Sequence, residues 1–299
     1  MRSFAALMLL LGVLYGRAVP GGRAAETSDT TLAFLREGAV VKTLDRPALE
    51  RACAAVTVAI DDPYYGRPKR YRACPLAEVL GLGFGALAAG EADGADVFFR
   101  ARDGYVKPAN LARVREAGGY LAFADAERMK ADDAGWEPID RRQVDPGPYY
   151  VVWEQPAQRD PHRYPWPYQL VAIEIASYAR RYPHTAPSGL PPDAPAWAGF
   201  AIFRNECIAC HAINGEGGTI GPELNVPQSI VEYRPAEQLK AFIRNPQTFR
   251  YTSMPSHEHL TPADLDAVLA YFGAMRDRKH DPQKAPENHS KTAGHAEMP

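Results

Sequence analysis

Apolar residues along this chain change their spacing near residue 196. Between residues 26 and 182 they come as short runs at 56–60, 97–101 and 149–153, separated by clusters of Gly, Asp and Pro. Runs of that length bounded by turn formers predict buried strands. Helical spacing is weaker in this region and predicts short helices at 47–54, 76–80 and 110–115. Beyond residue 196 the helical period takes over. Trp197, Phe200 and Ala201 share one face, and Leu239, Phe242 and Ile243 share another in a segment from Pro235 to Asn245 that Pro246 stops. Leu265, Val268, Leu269, Phe272 and Met275 recur at intervals of three and four. They follow Thr261-Pro-Ala-Asp264, which offers an N-cap, a proline at the first helical position and an acid at the third. The pattern predicts a multi-domain chain, a mixed α+β region followed by an all-α region of three short helices.

The two ends and the junction read differently. Met1-Arg2-Ser3 is a basic start, residues 4–15 are apolar, and Gly22 and Ala24 take the small-residue positions of a cleavage site. That order predicts a secretory signal peptide over residues 1–24, and the 12-residue run falls short of the roughly 20 that a spanning helix needs. An uncleaved anchor is the alternative. Residues 183–195 hold five prolines and predict a semi-rigid extended linker, since proline fixes φ and cannot donate a hydrogen bond. The domains expected between these segments are residues 25–182 and 196–276. The tail, 277–299, lacks apolar periodicity and carries His280, His289 and His295; it reads as solvated and disordered, with metal collection as the alternative.

Composition narrows the function. Apolar residues are 46% and charged residues 23% of the 299, which excludes a mainly disordered chain. With 34 Lys and Arg against 36 Asp and Glu, the basic footprint of a nucleic-acid binder is missing. No stable membrane span is expected after signal cleavage. Only 4 cysteines occur, too few for a disulfide scaffold, so each needs its own account.

Cys207-Ile-Ala-Cys210-His211 is a C-x-x-C-H motif, the haem c attachment signature. Two thiols add to the haem vinyl groups and the adjacent imidazole meets the iron. A redox dithiol or half a zinc site would share the C-x-x-C, but neither a second C-x-x-C nor a thioredoxin-like pattern accompanies it. The other axial position calls for a thioether, an imidazole or solvent. Met254, in Tyr251-Thr-Ser-Met-Pro-Ser256, is 43 residues downstream of His211, in a loop. His257 and His259 compete for the role but adjoin the cap of the last helix and read as exposed.

Residues 196–276 resemble a class I cytochrome c domain. The resemblance rests on the C-x-x-C-H motif, Gly217-Gly218-x-x-Gly221-Pro222-x-Leu224, Asn245-Pro246, Met254-Pro255 and the capped last helix. It implies one covalent haem c, with Pro222 offering its carbonyl to the Nδ1–H of His211. Tyr233, Phe249 and Phe272 are candidates for the haem wall or for plain core. A His/Met pair saturates the iron, so the domain is expected to transfer single electrons.

The earlier region resembles a shortened sulfite-oxidase-like, molybdopterin-binding fold. The stretches that carry this are Tyr71-Arg-Ala-Cys74-Pro-Leu-x-x-Val-Leu80, Val97-Phe-Phe-Arg-Ala-Arg-Asp103-Gly104-Tyr105, Gly147-Pro-Tyr-Tyr-Val-Val-Trp153 and Tyr164-Pro-Trp-Pro-Tyr-Gln169. Where the family carries a molybdenum-ligating cysteine, this chain reads Val58-Ala-Ile-Asp-Asp-Pro-Tyr-Tyr65. The departure implies a cofactor-free relative used for docking rather than a molybdopterin carrier. Cys53 and Cys74 are either a disulfide or two separately buried thiols. Arg67, Lys69, Arg70 and Arg72 read as a solvated loop or an anion site, Asp103-Gly104-Tyr105 as a turn, and Tyr164, Trp166 and Tyr168 as a pocket lining, an interface or a cover over the sheet edge. The expectation is a periplasmic c-type cytochrome serving a periplasmic redox protein as electron donor or acceptor, more an electron carrier than an enzyme. The rival is a haem-containing molybdenum oxidoreductase.

Overall fold

A computed structural model describes residues 30–85, 95–130, 133–139 and 142–284. The signal segment, His289 and His295 lie outside the described residues. The first region contains two sheets. One is built from β1 (Thr31–Arg36), β2 (Ala39–Asp45), β5 (Asp96–Ala101), β6 (Val106–Asn110) and β9 (Leu170–Ala176), in the order β2-β1-β9-β5-β6. Only the β1–β9 pairing is parallel. The other has the order β3-β4-β7-β8, from β3 (Val56–Asp62), β4 (Arg67–Pro75), β7 (Gly119–Asp125) and β8 (Tyr150–Trp153), all antiparallel. Short helices α1 (Arg46–Ala52), α2 (Leu76–Phe84) and α3 (Leu111–Val114) stand where helical spacing was weak but present. Asp45 caps α1 by accepting from Ala48 N, and Asn110 caps α3 by accepting from Arg113 N.

A disulfide joins Cys53, at the end of α1, to Cys74 in β4, across a sequence separation of 21 residues. Closing a loop of that length contributes about 3 kcal/mol by restricting the unfolded chain. Residues 67–75, read in part as a solvated basic loop, are strand β4. Lys69 is fully buried, donating to Asp125 Oδ2 at 2.6 Å and Glu137 Oε2 at 2.7 Å. Strand alternation turned one cation of the cluster inward, where two carboxylates neutralise it. Hydrogen bonds from Lys69 and Arg67 hold the Glu137 carboxyl down at about 2. Tyr164 and Trp166 are buried in the same core, and Tyr168 packs against it.

The second region is helical. α5 (Pro195–Ile202) continues through a π-turn at Phe203–Cys207, and is followed by a small hairpin of β10 (Ala212–Ile213) and β11 (Glu216–Gly217). The one-turn α6 (Ile230–Tyr233), then α7 (Ala236–Arg244) and α8 (Pro262–Arg276), complete it. Thr261 and Asp264 close the capping box that the sequence announced. α5 lies directly on α8 because Gly199 has no side chain. A Cβ there would stand 1.9 Å from Ala267 O.

The regions are not strung on a free linker. Along β5, Val97 and Phe99 face the core of the sheets, while Phe98 between them faces the other way. Phe98 packs with Val106, Ala176, Tyr178 and Tyr182 into the same buried cluster as Phe203, Tyr271 and Phe272. Its ring meets Tyr182 edge-on at 5.6 Å, in a segment led by α4 (Tyr178–Arg181). Polar contacts seal the seam. Val106 N donates to Ala209 O at 3.0 Å, Thr219 N to Gly104 O at 3.1 Å, and Arg204 Nη2 to Asp96 Oδ2 at 2.6 Å.

The proline-rich segment therefore departs from an extended spacer. Thr185 is fully buried and its carbonyl accepts from Tyr271 OH at 2.7 Å, while Asn214 Nδ2 reaches His184 O and Arg278 Nε reaches Ser188 O, each at 2.8 Å. Proline removes donors but leaves carbonyls free, and α8 and its neighbours supply the donors. Residues 277–284 are likewise held: Asn214 Oδ1 accepts from His280 N, Lys279 pairs with Glu232, and the His280 ring stacks on His184 at 3.6 Å. Phe98→Ala should cost about 3–5 kcal/mol and shift the unfolding of both regions together in a denaturant titration, whereas two separate domains would leave one transition in place.

Candidate haem-binding site

The helical region encloses a cavity of about 320 Å³. Its walls are largely apolar, among them Ile220, Leu224, Leu239, Phe242, Ile243 and Phe272, and Cys207, Cys210, His211 and Met254 also line it. Each element supplies its residues for a local reason. The π-turn ends α5 at Cys207, and the backbone then tightens, with Cys210 N and His211 N both donating to Cys207 O. Within these five residues both thiols and the imidazole reach the same space.

His211 is fixed from behind. Its Nδ1 lies 2.9 Å from Pro222 O; a carbonyl only accepts, so Nδ1 carries the proton and Nε2 keeps its lone pair. Burial pushes the His211 pKa down, against the opposing effect of the Pro222 bond. The ring therefore stays a neutral donor, the form a metal requires. Gly221 makes this possible, because a Cβ there would stand 2.3 Å from the His211 ring. Gly218 N donates to Ile208 O and Gly221 N to Cys210 O, which ties the glycine loop to the motif.

The two thiols are unpaired. Burial pushes Cys207 up to about 12 and Cys210 up to about 11. Thiols held protonated in an apolar cavity suit addition to an apolar vinyl group. Opposite them the Met254 loop closes the cavity; Met254 N donates to Thr252 Oγ1, and Gln247 Nε2 reaches Met254 O at 3.4 Å.

Two expectations need correction. His257, read as exposed, is only 5% accessible and lines the cavity beside Glu206. Its backbone N–H donates to Ile243 O and Arg244 O, the open carbonyls at the end of α7, and this draws the residue inward. Phe249, a candidate wall residue, meets Phe242 edge-on at 5.7 Å and stands half exposed, while Tyr233 and Phe272 do line the cavity. The seam residues Lys107, Gly104 and Arg204 carried no functional signal in the sequence. Lys107 donates to Asn205 O, and a Cβ on Gly104, at φ +97°, would strike Thr219 Oγ1.

Residues 196–275 match the cytochrome c family. This part of the chain is a cytochrome c domain, and its cofactor is covalently bound haem c. The chain is also similar to cytochrome c oxidase subunit 2 of Alkalihalophilus pseudofirmus, 30% identical over 118 residues. That match spans 36% of this chain and about a third, 34%, of the oxidase subunit. Apolar walls, protonated thiols and one oriented imidazole fit the haem of a cytochrome c domain. Among the described residues no helix is long and apolar enough to cross a membrane. Gly221→Ala should displace the His211 ring and cut the fraction of chain carrying covalent haem severalfold by visible absorbance. Gly273→Ala, with nothing within 4 Å of its Cβ, should leave that fraction unchanged.

Proposed function

We propose that the protein is an exported, periplasmic one-electron carrier in which Cys207 and Cys210 hold the haem covalently and His211 and Met254 are its axial ligands. The observation that carries this reading is the convergence of two unpaired thiols, an imidazole oriented by Pro222 O and a thioether on one largely apolar cavity. Bound haem c supplies a reversible Fe(III)/Fe(II) couple. The chain's own groups do the rest. Cys207 and Cys210 would anchor the ring, Pro222 O fixes the His211 tautomer, His211 and Met254 would ligate the iron, and Leu239, Phe242 and Phe272 wall the cavity. With those two side chains as ligands the iron would offer oxygen and peroxide no open site, and the group would supply single-electron exchange.

Residues 25–182 form, in this proposal, a cofactor-free relative of the sulfite-oxidase-like fold that docks a redox partner. Cys53 and Cys74 are bonded to each other, so neither thiol is available to a molybdenum centre. Two features support docking: β2 is an edge strand with Val40 and Val41 exposed, and the seam through Phe98 holds this region at a fixed orientation to the haem cavity. Met254→Ala should abolish the sulfur-to-iron charge-transfer band of the oxidised protein and lower its reduction potential, with covalent haem retained. Survival of the band would exclude Met254. Val40→Glu with Val41→Glu should slow reduction by the partner without altering the haem spectrum; an unchanged rate removes β2 as the docking edge.

A further inference from the structure

At the rim of the haem cavity, which Glu206 and His257 also line, three imidazoles converge on one carboxylate at the seam between the two regions. Glu206 immediately precedes Cys207 and its side chain is 11% exposed. His162 comes from the loop between β8 and β9, and His257 and His259 from the segment before α8. From Glu206 Oε2, His162 Nδ1 is at 2.7 Å, His257 Nδ1 at 3.6 Å and His259 Nε2 at 3.7 Å. The rings of His162 and His259 are 4.4 Å apart. We propose that His162, Glu206 and His259 bind one divalent ion of the zinc or copper class across this seam, with His257 available as a fourth donor.

Two imidazoles and a carboxylate are a donor set suited to zinc and copper. One ligand atom from each of the three residues lies within 4.8 Å of the others. At bond lengths of about 2.0–2.2 Å, a tetrahedral ion spaces its donors about 3.3 Å apart. The 2.7 and 3.7 Å separations fall on either side of that value, and His162 and His259, each nearly half exposed, are free to turn.

An independent observation points to the same place. His257 is nine-tenths buried, yet its Nδ1 has no hydrogen-bond partner. A buried ring nitrogen left open in this way calls for a ligand. An ion pair alone does not explain the cluster, because more than one imidazolium here would repel its neighbours, while one carboxylate cannot neutralise three. Because His162 belongs to the sheet region and the other donors to the cytochrome c domain, the ion would clamp one onto the other.

The test is calorimetric titration of the chelator-treated, haem-loaded full chain with Zn²⁺. The wild type should bind one equivalent tightly. His162→Ala and His259→Ala should each weaken binding by roughly tenfold or more, and the double variant should abolish it, all with an unchanged visible haem spectrum. His184→Ala with His280→Ala, which removes the stacked pair between the proline-rich segment and the tail, should leave the affinity intact. Absence of saturable binding to the wild type overturns the proposal. So does tight binding that survives in the His162/His259 double variant, or that is lost with His184 and His280 instead.

Discussion

The alternation of Val97, Phe98 and Phe99 along one strand ties the molecule together. Successive side chains of a strand point to opposite faces, so β5 contributes to two cores at once. Phe98 carries the sheet into the cluster that also contains Phe203, Tyr271 and Phe272 of the cytochrome c domain. The consequence reaches the haem cavity, because Phe203 opens the π-turn that ends at Cys207. A side chain of the first region thus supports the turn from which the first thiol emerges. Val106 N, bonded to Ala209 O, adds a backbone contact within the C-x-x-C-H motif itself.

Within the cytochrome c domain, orientation is set by backbone proximity more than by side-chain volume. Gly199 lets α5 lie on α8, and Gly221 lets the glycine loop lie against the His211 imidazole. Pro222 O then fixes the proton on Nδ1. Small residues at these contacts leave no slack, so the ring direction follows from the chain path. The partly apolar surroundings push both thiol pKa values up, and the same walls line the cavity that fits a porphyrin.

Much of the haem site was legible in the sequence because its information is local. The five-residue motif, the glycine loop and the capped last helix each carry their meaning within one or two turns of chain. Strands β3, β5 and β8 were legible for a similar reason, as apolar runs between turn formers. Strands β1, β2, β4, β6 and β7 were not. β2 is an exposed edge, and β4 is rich in cations with only alternate positions buried, so neither makes an apolar run. The burial of Lys69 depends on Asp125 and Glu137, more than 50 residues away, and no short window shows that pairing. The seam was invisible for the same cause: Phe98 looks like any core aromatic until its neighbours on the far side are known. The proline-rich segment misled because its composition records missing donors and says nothing of the donors that Tyr271, Asn214 and Arg278 supply. His257 misled because the open carbonyls at the end of α7 draw it inward.

The sheet region and the cytochrome c domain pack against each other through the seam, and the proposed function gives them a single redox centre. Iron and molybdenum content per chain, measured by elemental analysis on protein purified from a host able to make both cofactors, tests that claim most directly. The account predicts one iron and no molybdenum. Stoichiometric molybdenum, or a chain without iron, would contradict it.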